Sequence, residues 1–383
     1  MAKNNRRDSQ GKGPVYYHTG IFPPKELDWP ELIPLIGPAA ASLARYDGLL
    51  SAIPNADVLL SPLTTQEAVL SSRIEYSQAT MCEVLEYEAG EGSGTFDAEK
   101  VDDIHEVLNY RRAMRQAVLE LSKLPLCQRV IKHVHATLLD GVRGHDRARG
   151  HYKTVQNYIG PSGCTLEEAR FVPIAPEHTN EGMSQWEKYL HSKASDRLVQ
   201  LAIIHAEFEA LHPFLDGNGR LGRMLVPLFL FEQRLLHAPM FYLSEYLETN
   251  RREYYDRLLA VSSKNDWTGW CRFFLQAIEQ QAKQNEKKAR NILALYNKKK
   301  GWVVDTTHSQ HAVATLDFLF EQPIFNSTRF IEGTKAPSPT ARRILKLFSD
   351  SGLIRILQPA RGRKPAIYAF SELLNVAEGR TVF

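Results

Sequence analysis

The sequence predicts a mainly α-helical protein with a short β flap and a small helix-and-strand unit at its end. Three observations predict it. Apolar positions such as Leu43, Tyr46, Leu49 and Leu50 recur at helical spacing between Leu27 and about Tyr110. Several long amphipathic helices follow between about Val101 and Phe274, the clearest carrying Leu198, Leu201, Ala202, His205 and Phe208 on one stripe. From about residue 308 the style changes to short helices and two β-runs.

Taken in order, residues 1–26 are polar and contain Gly and Pro, which predicts a mobile leader. Residues 27–110 form an N-terminal helical domain. Asn55 and Ser61-Pro62 break its first run, and Thr64-Thr65-Gln66-Glu67 opens a new helix. Residues 111–280 make the central unit. Within it, Tyr152–Ile159 and Arg170–Ile174 are β-rich and pair as a hairpin or flap. Residues 281–307 are the linking unit, its helix read over residues 271–299 and ended by Lys298-Lys299-Lys300-Gly301. In residues 308–383, helices over Ala312–Phe320, Ser327–Glu332 and from Ser338-Pro339 to Gly352 precede β-runs at Leu353–Leu357 and Ala366–Phe370. Helix–turn–helix followed by a basic hairpin is the order of a winged helix-turn-helix.

Composition narrows the class. The 383 residues are 43% hydrophobic and 24% charged, as in ordinary soluble proteins. The run Met224–Phe231 contains Pro227 and is far short of the ~20 residues of a membrane span. Cys82, Cys127, Cys164 and Cys271 form no CxxC pair, so structural zinc and an oxidising compartment are not expected. With no apolar stretch after Met1 to Arg7, no signal peptide is read, and the cytoplasm is the expected location. Net charge is +3, yet residues 281–383 hold 17 Lys/Arg against 8 Asp/Glu. A basic tail suits nucleic acid as a partner, and equally a solvated face.

One stretch carries chemistry: His212-Pro213-Phe214-Leu215-Asp216-Gly217-Asn218-Gly219-Arg220-Leu221-Gly222-Arg223. Pro213 forces the chain out of the preceding helix. Gly217 and Gly219 allow positive φ and close backbone approach. A glycine-rich turn feeding a helix N-terminus attracts anions. Arg220 and Arg223, three apart, share a face of the new helix and bind phosphates. Asp216 is a hard oxygen ligand for Mg²⁺. His212 is the nearby group whose ordinary pKa suits proton abstraction at neutral pH. These are the parts of a phosphoryl- or nucleotidyl-transfer site.

The stretch resembles, without a departure, the HPFxDGNGRxGR signature of the Fic family. Ser71-Ser72-Arg73-Ile74-Glu75 is similar to the family's inhibitory helix, (S/T)xxxE(G/N), although Tyr76 stands where the family has Gly or Asn. Gln156-Asn157-Tyr158-Ile159-Gly160 and Phe171-Val172-Pro173 resemble its flap. Tyr242–Tyr246 and Asn250–Tyr255 resemble the segment after the core motif. The similarity covers roughly residues 30–375.

The resemblance implies a Fic helical core that transfers AMP from ATP, with Mg²⁺, to a Tyr, Thr or Ser hydroxyl of a target protein or of itself. It implies His212 as general base and Asp216 as metal ligand. Gly217, Asn218 and Gly219 would form the anion pocket, with Arg220 and Arg223 on phosphates and Leu221 and Gly222 within the same nucleotide-binding stretch. Phe214 would pack inward and fix the loop, and Asn250 and Tyr254 would lie near the adenine. Ser71 and Glu75 would form the brake, Glu75 by pairing with Arg223 in the nucleotide site. The related Doc-type toxin kinases carry Lys at the position of Gly219, so the Gly favours AMP transfer over phosphorylation. The flap would dock a target strand by β-addition, and pairing of two copies is implied. Removal of AMP, transfer of another nucleotide such as UMP, and a DNA-binding regulator with a nucleotide-sensing Fic unit stand as alternatives. For the last, Arg342, Arg343, Lys346, Arg361, Arg363 and Lys364 are the candidate contacts.

Overall fold

The structure is a computed structural model that describes residues 13–90, 96–142, 148–161 and 163–382. The first twelve residues of the expected leader therefore lie outside the described part. The chain runs β1 (Val15–Tyr16), α1 (Trp29–Ala52), α2 (Ala56–Leu59), α3 (Ser61–Ile74), α4 (Met81–Ala89), α5 (Ala98–Leu121) and α6 (Gln128–Leu138). It continues through β2 (Phe171–Val172), α7 (Thr179–Leu190), α8 (Arg197–Leu211), α9 (Asn218–Glu232), α10 (Ser244–Thr249), α11 (Arg251–Lys264) and α12 (Trp267–Thr307). The last part holds α13 (Ala312–Glu321), β3 (Ile324–Asn326), α14 (Ser327–Gly333), α15 (Ser338–Asp350), β4 (Arg355–Gln358), β5 (Ile367–Ala369) and α16 (Ser371–Glu378). The fold is mainly α, with two small sheets among the described residues.

At the centre stand α8 and α9. Asp196 caps α8 by accepting from the Leu198 and Val199 N–H groups at 2.9 Å each. Nearly every residue of α8, and α9 as far as Leu230, is buried. Trp186, Phe208, Phe214, Phe229, Trp270 and Phe274 fill the space around them. The Trp270 indole N–H donates to Ala202 O and that of Trp186 to Ile204 O, so the aromatic shell bonds directly to the helix it surrounds.

Two boundaries differ from the sequence reading. The linking helix is not separate: α12 starts at Trp267, capped by Asp266, and runs unbroken through position 280 to Thr307, 41 residues in all. At 1.5 Å per residue it spans about 60 Å. Its first part packs on α1, α8 and α11, and it goes on to meet α13, α15 and α16.

The leader is also not free from Val15 on. β1 pairs in parallel with β2, Val15 opposite Phe171 and Tyr16 opposite Val172. The Tyr17 hydroxyl donates to Glu207 at 2.6 Å, and the His18 imidazole bridges Glu207 at 2.8 Å and Ser262 at 2.7 Å. The side chain of Glu207 is wholly buried, so this polar pairing fixes the segment. The expected hairpin of Tyr152–Ile159 with Arg170–Ile174 is reduced to one antiparallel bridge, Ile159 to Phe171.

In the last part, β3, β5 and β4 form an antiparallel sheet in that order. β3 was not read from the sequence. α15 begins at Ser338 with Pro337 in the capping position, so Ser338 is not the cap. Its apolar face buries Ala341, Ile344, Leu345 and Phe348.

Candidate active site

The turn between α8 and α9 is built by its own side chains. His212 takes a left-handed conformation, φ 44° and ψ 59°, and ends α8 just before Pro213. Phe214 is fully buried and its ring stacks on His135 at 3.8 Å. Asn218 Oδ1 accepts from the Phe214 N–H at 2.9 Å and its Nδ2 donates to Phe214 O at 2.8 Å. Asn218 is thus a staple across the turn, its side chain committed to the Phe214 backbone. Gly217, at φ 76°, opens α9, so the first N–H groups of that helix lack carbonyl partners one turn earlier.

His135 was not singled out in the sequence. Its Nδ1 accepts from the Gly150 N–H at 2.8 Å, which leaves Nε2 protonated to donate to Asp216 O at 2.9 Å. Burial lowers its pKa to about 4, so it is neutral and structural.

The same holds for the charge of His212. Burial, then the Lys153 ammonium, push its pKa down to about 4, against Glu75, the Glu209 carbonyl and Asp216. Its Nδ1 is buried outside normal hydrogen-bond geometry. At neutral pH the imidazole is uncharged, the form that accepts a proton.

Arg223 is turned toward α3. Its Nε donates to Ser71 Oγ at 2.9 Å, and Nη2 donates to Ser71 O and to Glu75 Oε1 at 2.8 Å each. Burial raises the Glu75 carboxyl, but Arg223, Arg220 and His212 outweigh it and hold it below the ordinary value. A Cβ at Gly219 would stand 2.1 Å from Glu75 Oε1, so glycine there is what lets the carboxylate in. Tyr76 takes φ 74°, a left-handed position that suits Gly or Asn better. Arg251 lies over its ring at 4.3 Å.

Several of the expected site residues are engaged within the protein itself. Arg220 does not share an open face with Arg223: it is buried, 3.3 Å from Glu106 and 3.7 Å from Asp216. Leu221 is core, and Gly222 is buried where a Cβ would meet Glu209 at 2.2 Å. Tyr254 is fully buried with its hydroxyl on His205 Nε2 at 2.9 Å. Its half-buried neighbour Tyr255 feels the charges of Glu75 and Arg223. Asn250 sits between α10 and α11 and donates to Tyr246 O at 2.9 Å.

Asp216 fits a magnesium ligand in part. Its Oδ1 accepts from the Gly217 N–H at 2.6 Å, and its side chain is 38% exposed. No group of three His, Cys, Asp or Glu placed to hold a metal ion stands among the described residues, so one carboxylate plus phosphates would have to suffice, as Mg²⁺ tolerates. No described helix is long and apolar enough to cross a membrane.

Residues 33–119 match the Fic/DOC family N-terminal region and residues 125–230 match the Fic/DOC family. The chain is 26% identical over 190 residues to a protein adenylyltransferase Fic of Drosophila grimshawi, covering 48% of this chain and 35% of that protein. It is 33% identical over 84 residues to protein adenylyltransferase fic-1 of Caenorhabditis briggsae, covering 21% of this chain and 15% of that one. The similarity thus spans about a third or less of these relatives' length. Among solved structures, a Fic family protein from Desulfovibrio desulfuricans G20 superposes with a TM-score of 0.56 at 19% identity, over 89% of this chain and 96% of that one. A Fic domain containing signaling protein from Bacteroides thetaiotaomicron VPI-5482 gives 0.53 at 19%, over 66% and 97%. These two likenesses speak for the fold alone. The motif turn and the two matched regions, which together reach from residue 33 to residue 230, make this chain a member of the Fic/DOC family.

Proposed function

We propose that the chain is a protein adenylyltransferase that uses ATP and Mg²⁺ and is restrained by Glu75. The carrying observation is the place of His212, at the end of α8 and beside the N-terminus of α9, where burial favours the uncharged imidazole. In the reaction, His212 takes the proton of a target hydroxyl as its oxygen bonds to the α-phosphorus of ATP. The α–β bridging bond breaks, and pyrophosphate leaves with the electron pair. The opening N–H groups of α9 face phosphate oxygens, as oriented dipoles at developing charge. Asp216 is the residue that would hold Mg²⁺, which neutralises phosphate charge when bound. Arg223 binds phosphate only after Glu75 and Ser71 release it. The test is ATP radiolabelled at the α-phosphate, given to the parent chain, Glu75→Gly and His212→Ala. Label that rises in the first variant and is lost in the second supports the reading. Label from the γ-position instead, or none in any variant or added protein, removes it.

A second reading concerns the last part of the chain. Residues 338–366 hold seven Lys/Arg against one acid, Asp350. Arg342, Lys346, Arg361, Arg363 and Lys364 are all exposed. The helix, strand, two helices and two strands from α13 to β5 follow winged-helix order, and this face suits duplex DNA phosphates.

A further inference from the structure

The backbone at His212 is held from one side by two residues. Lys153 Nζ donates to Leu211 O at 3.2 Å, and the Lys153 N–H donates to Pro213 O at 2.9 Å. Asn157 Nδ2 donates to His212 O at 3.3 Å and to Phe214 O at 2.9 Å. Four consecutive carbonyls, 211 to 214, are thus met from residues 153 and 157. Lys153 Nζ also donates to Asn157 Oδ1 at 2.8 Å, which locks the two donors together.

These carbonyls need such partners. The end of α8 leaves its last carbonyls without intrahelical donors, and Pro213 supplies no N–H. A left-handed His is also less favourable than a left-handed Gly, so the surroundings must hold it. A neutral donor would serve the carbonyls. Lys153 instead brings a charge into a site where it is only 3% exposed, which is costly. Burial draws its pKa down to about 7, and its charge is second only to burial in keeping His212 neutral.

We propose that Lys153 and Asn157 are positioning residues for His212: they fix its backbone through four successive carbonyls and set a positive charge against its imidazole. The inference rests on His212 being the proton acceptor of the proposed transfer. The groups facing that imidazole besides Lys153 are the carboxylates of Glu75 and Asp216 and the carbonyl of Glu209.

The test is the titration of His212 in the full chain by NMR, with isotope-labelled histidine and the signal assigned by its loss in His212→Ala. Lys153→Gln keeps a hydrogen-bond donor and removes the charge, so it is the variant expected to fold best. Its His212 midpoint should rise by about half a unit or more. Lys153→Arg should keep the midpoint of the parent chain. Equal midpoints in Lys153→Gln and the parent overturn the proposal. This readout needs no turnover, so it stands even where AMP transfer fails. Where transfer is measured, Lys153→Gln should lower kcat with little change in KM for ATP, since the base moves and not the nucleotide. A change confined to KM overturns the positioning role.

Discussion

Glu75 and Arg223, 148 positions apart in sequence, meet at 2.8 Å with Ser71 one helical turn before Glu75 gripping the same guanidinium. The end of α3 therefore holds the arginine that the transfer reaction assigns to phosphate. The side chain of Glu75 is 35% exposed, so the carboxylate end of the pair opens to solvent, and a polyanion can compete with it for Arg223.

Glu75→Gly should raise AMP transfer severalfold, and Ser71→Ala should raise it less, because the carboxylate pairing survives. Initial rates of label incorporation check both. Equal rates for Glu75→Gly and the parent would sink the idea of a working brake.

The buried histidines should make the fold acid-sensitive in a defined window. His205, wholly buried between Gly222 O and the Tyr254 hydroxyl, is held neutral with a pKa near 3 by burial and then by Arg223. The unfolded chain takes up that proton at ~6.5, so stability falls as pH drops below that value, by at most about 1.4 kcal/mol per pH unit for this group. Urea unfolding between pH 6.5 and 4 should show a shallower acid limb in His205→Gln than in the parent.

Glu209 works in the opposite sense. Burial raises its carboxyl to about 7, with Arg223 resisting and Glu75 adding to the rise. The stability it contributes is fully present below the ordinary carboxylate range and is lost as pH rises through 7. Glu209→Gln should therefore gain stability over the parent between pH 6 and 8. A pH-independent difference between the two chains would contradict a protonated Glu209.

His18→Ala should leave one oxygen of the buried Glu207 without its partner. An unmet buried acceptor costs about 1–3 kcal/mol. The melting temperature should drop by a few degrees, and limited proteolysis should cut sooner ahead of Phe22. Unchanged melting and cleavage would show that the segment is not held by this contact.

For the exposed cationic face, anisotropy with labelled duplex DNA is the measurement. Binding that weakens with salt and loses slope by about 0.9 for each phosphate contact removed is expected for Arg342→Ala and Arg361→Ala. Salt-independent binding, or none, removes the DNA reading and leaves a protein partner for this face.

The motif turn was legible because most of its twelve residues serve one geometry, with His212, Pro213, Asp216, the glycines and the arginines each placed there by a separate physical reason. Lys153 was harder to see, since a lysine reads as surface. Its signal was isolation: between Arg149 and Glu167 it is the lone Lys, Arg, Asp or Glu. Arg220 and Arg223 do lie on neighbouring positions of α9. Sequence could not tell that α5 would reach one with Glu106 and α3 the other with Glu75. Tyr254 and Tyr255 differ by one step, about 100° around a helix, and periodicity alone did not choose which one is buried. β1 escaped because it is two residues long and its partner lies 156 positions away.

That short strand closes one edge of β2. Beyond β1 stands α11, which His18 reaches through Ser262. β2 is flanked by β1 on one side and by Ile159 on the other. On the Ile159 side, Val155 is 59% exposed and Tyr158 44%. The segment from Val15 to His18 thereby makes this small sheet lopsided, with one edge of β2 taken up within the chain itself.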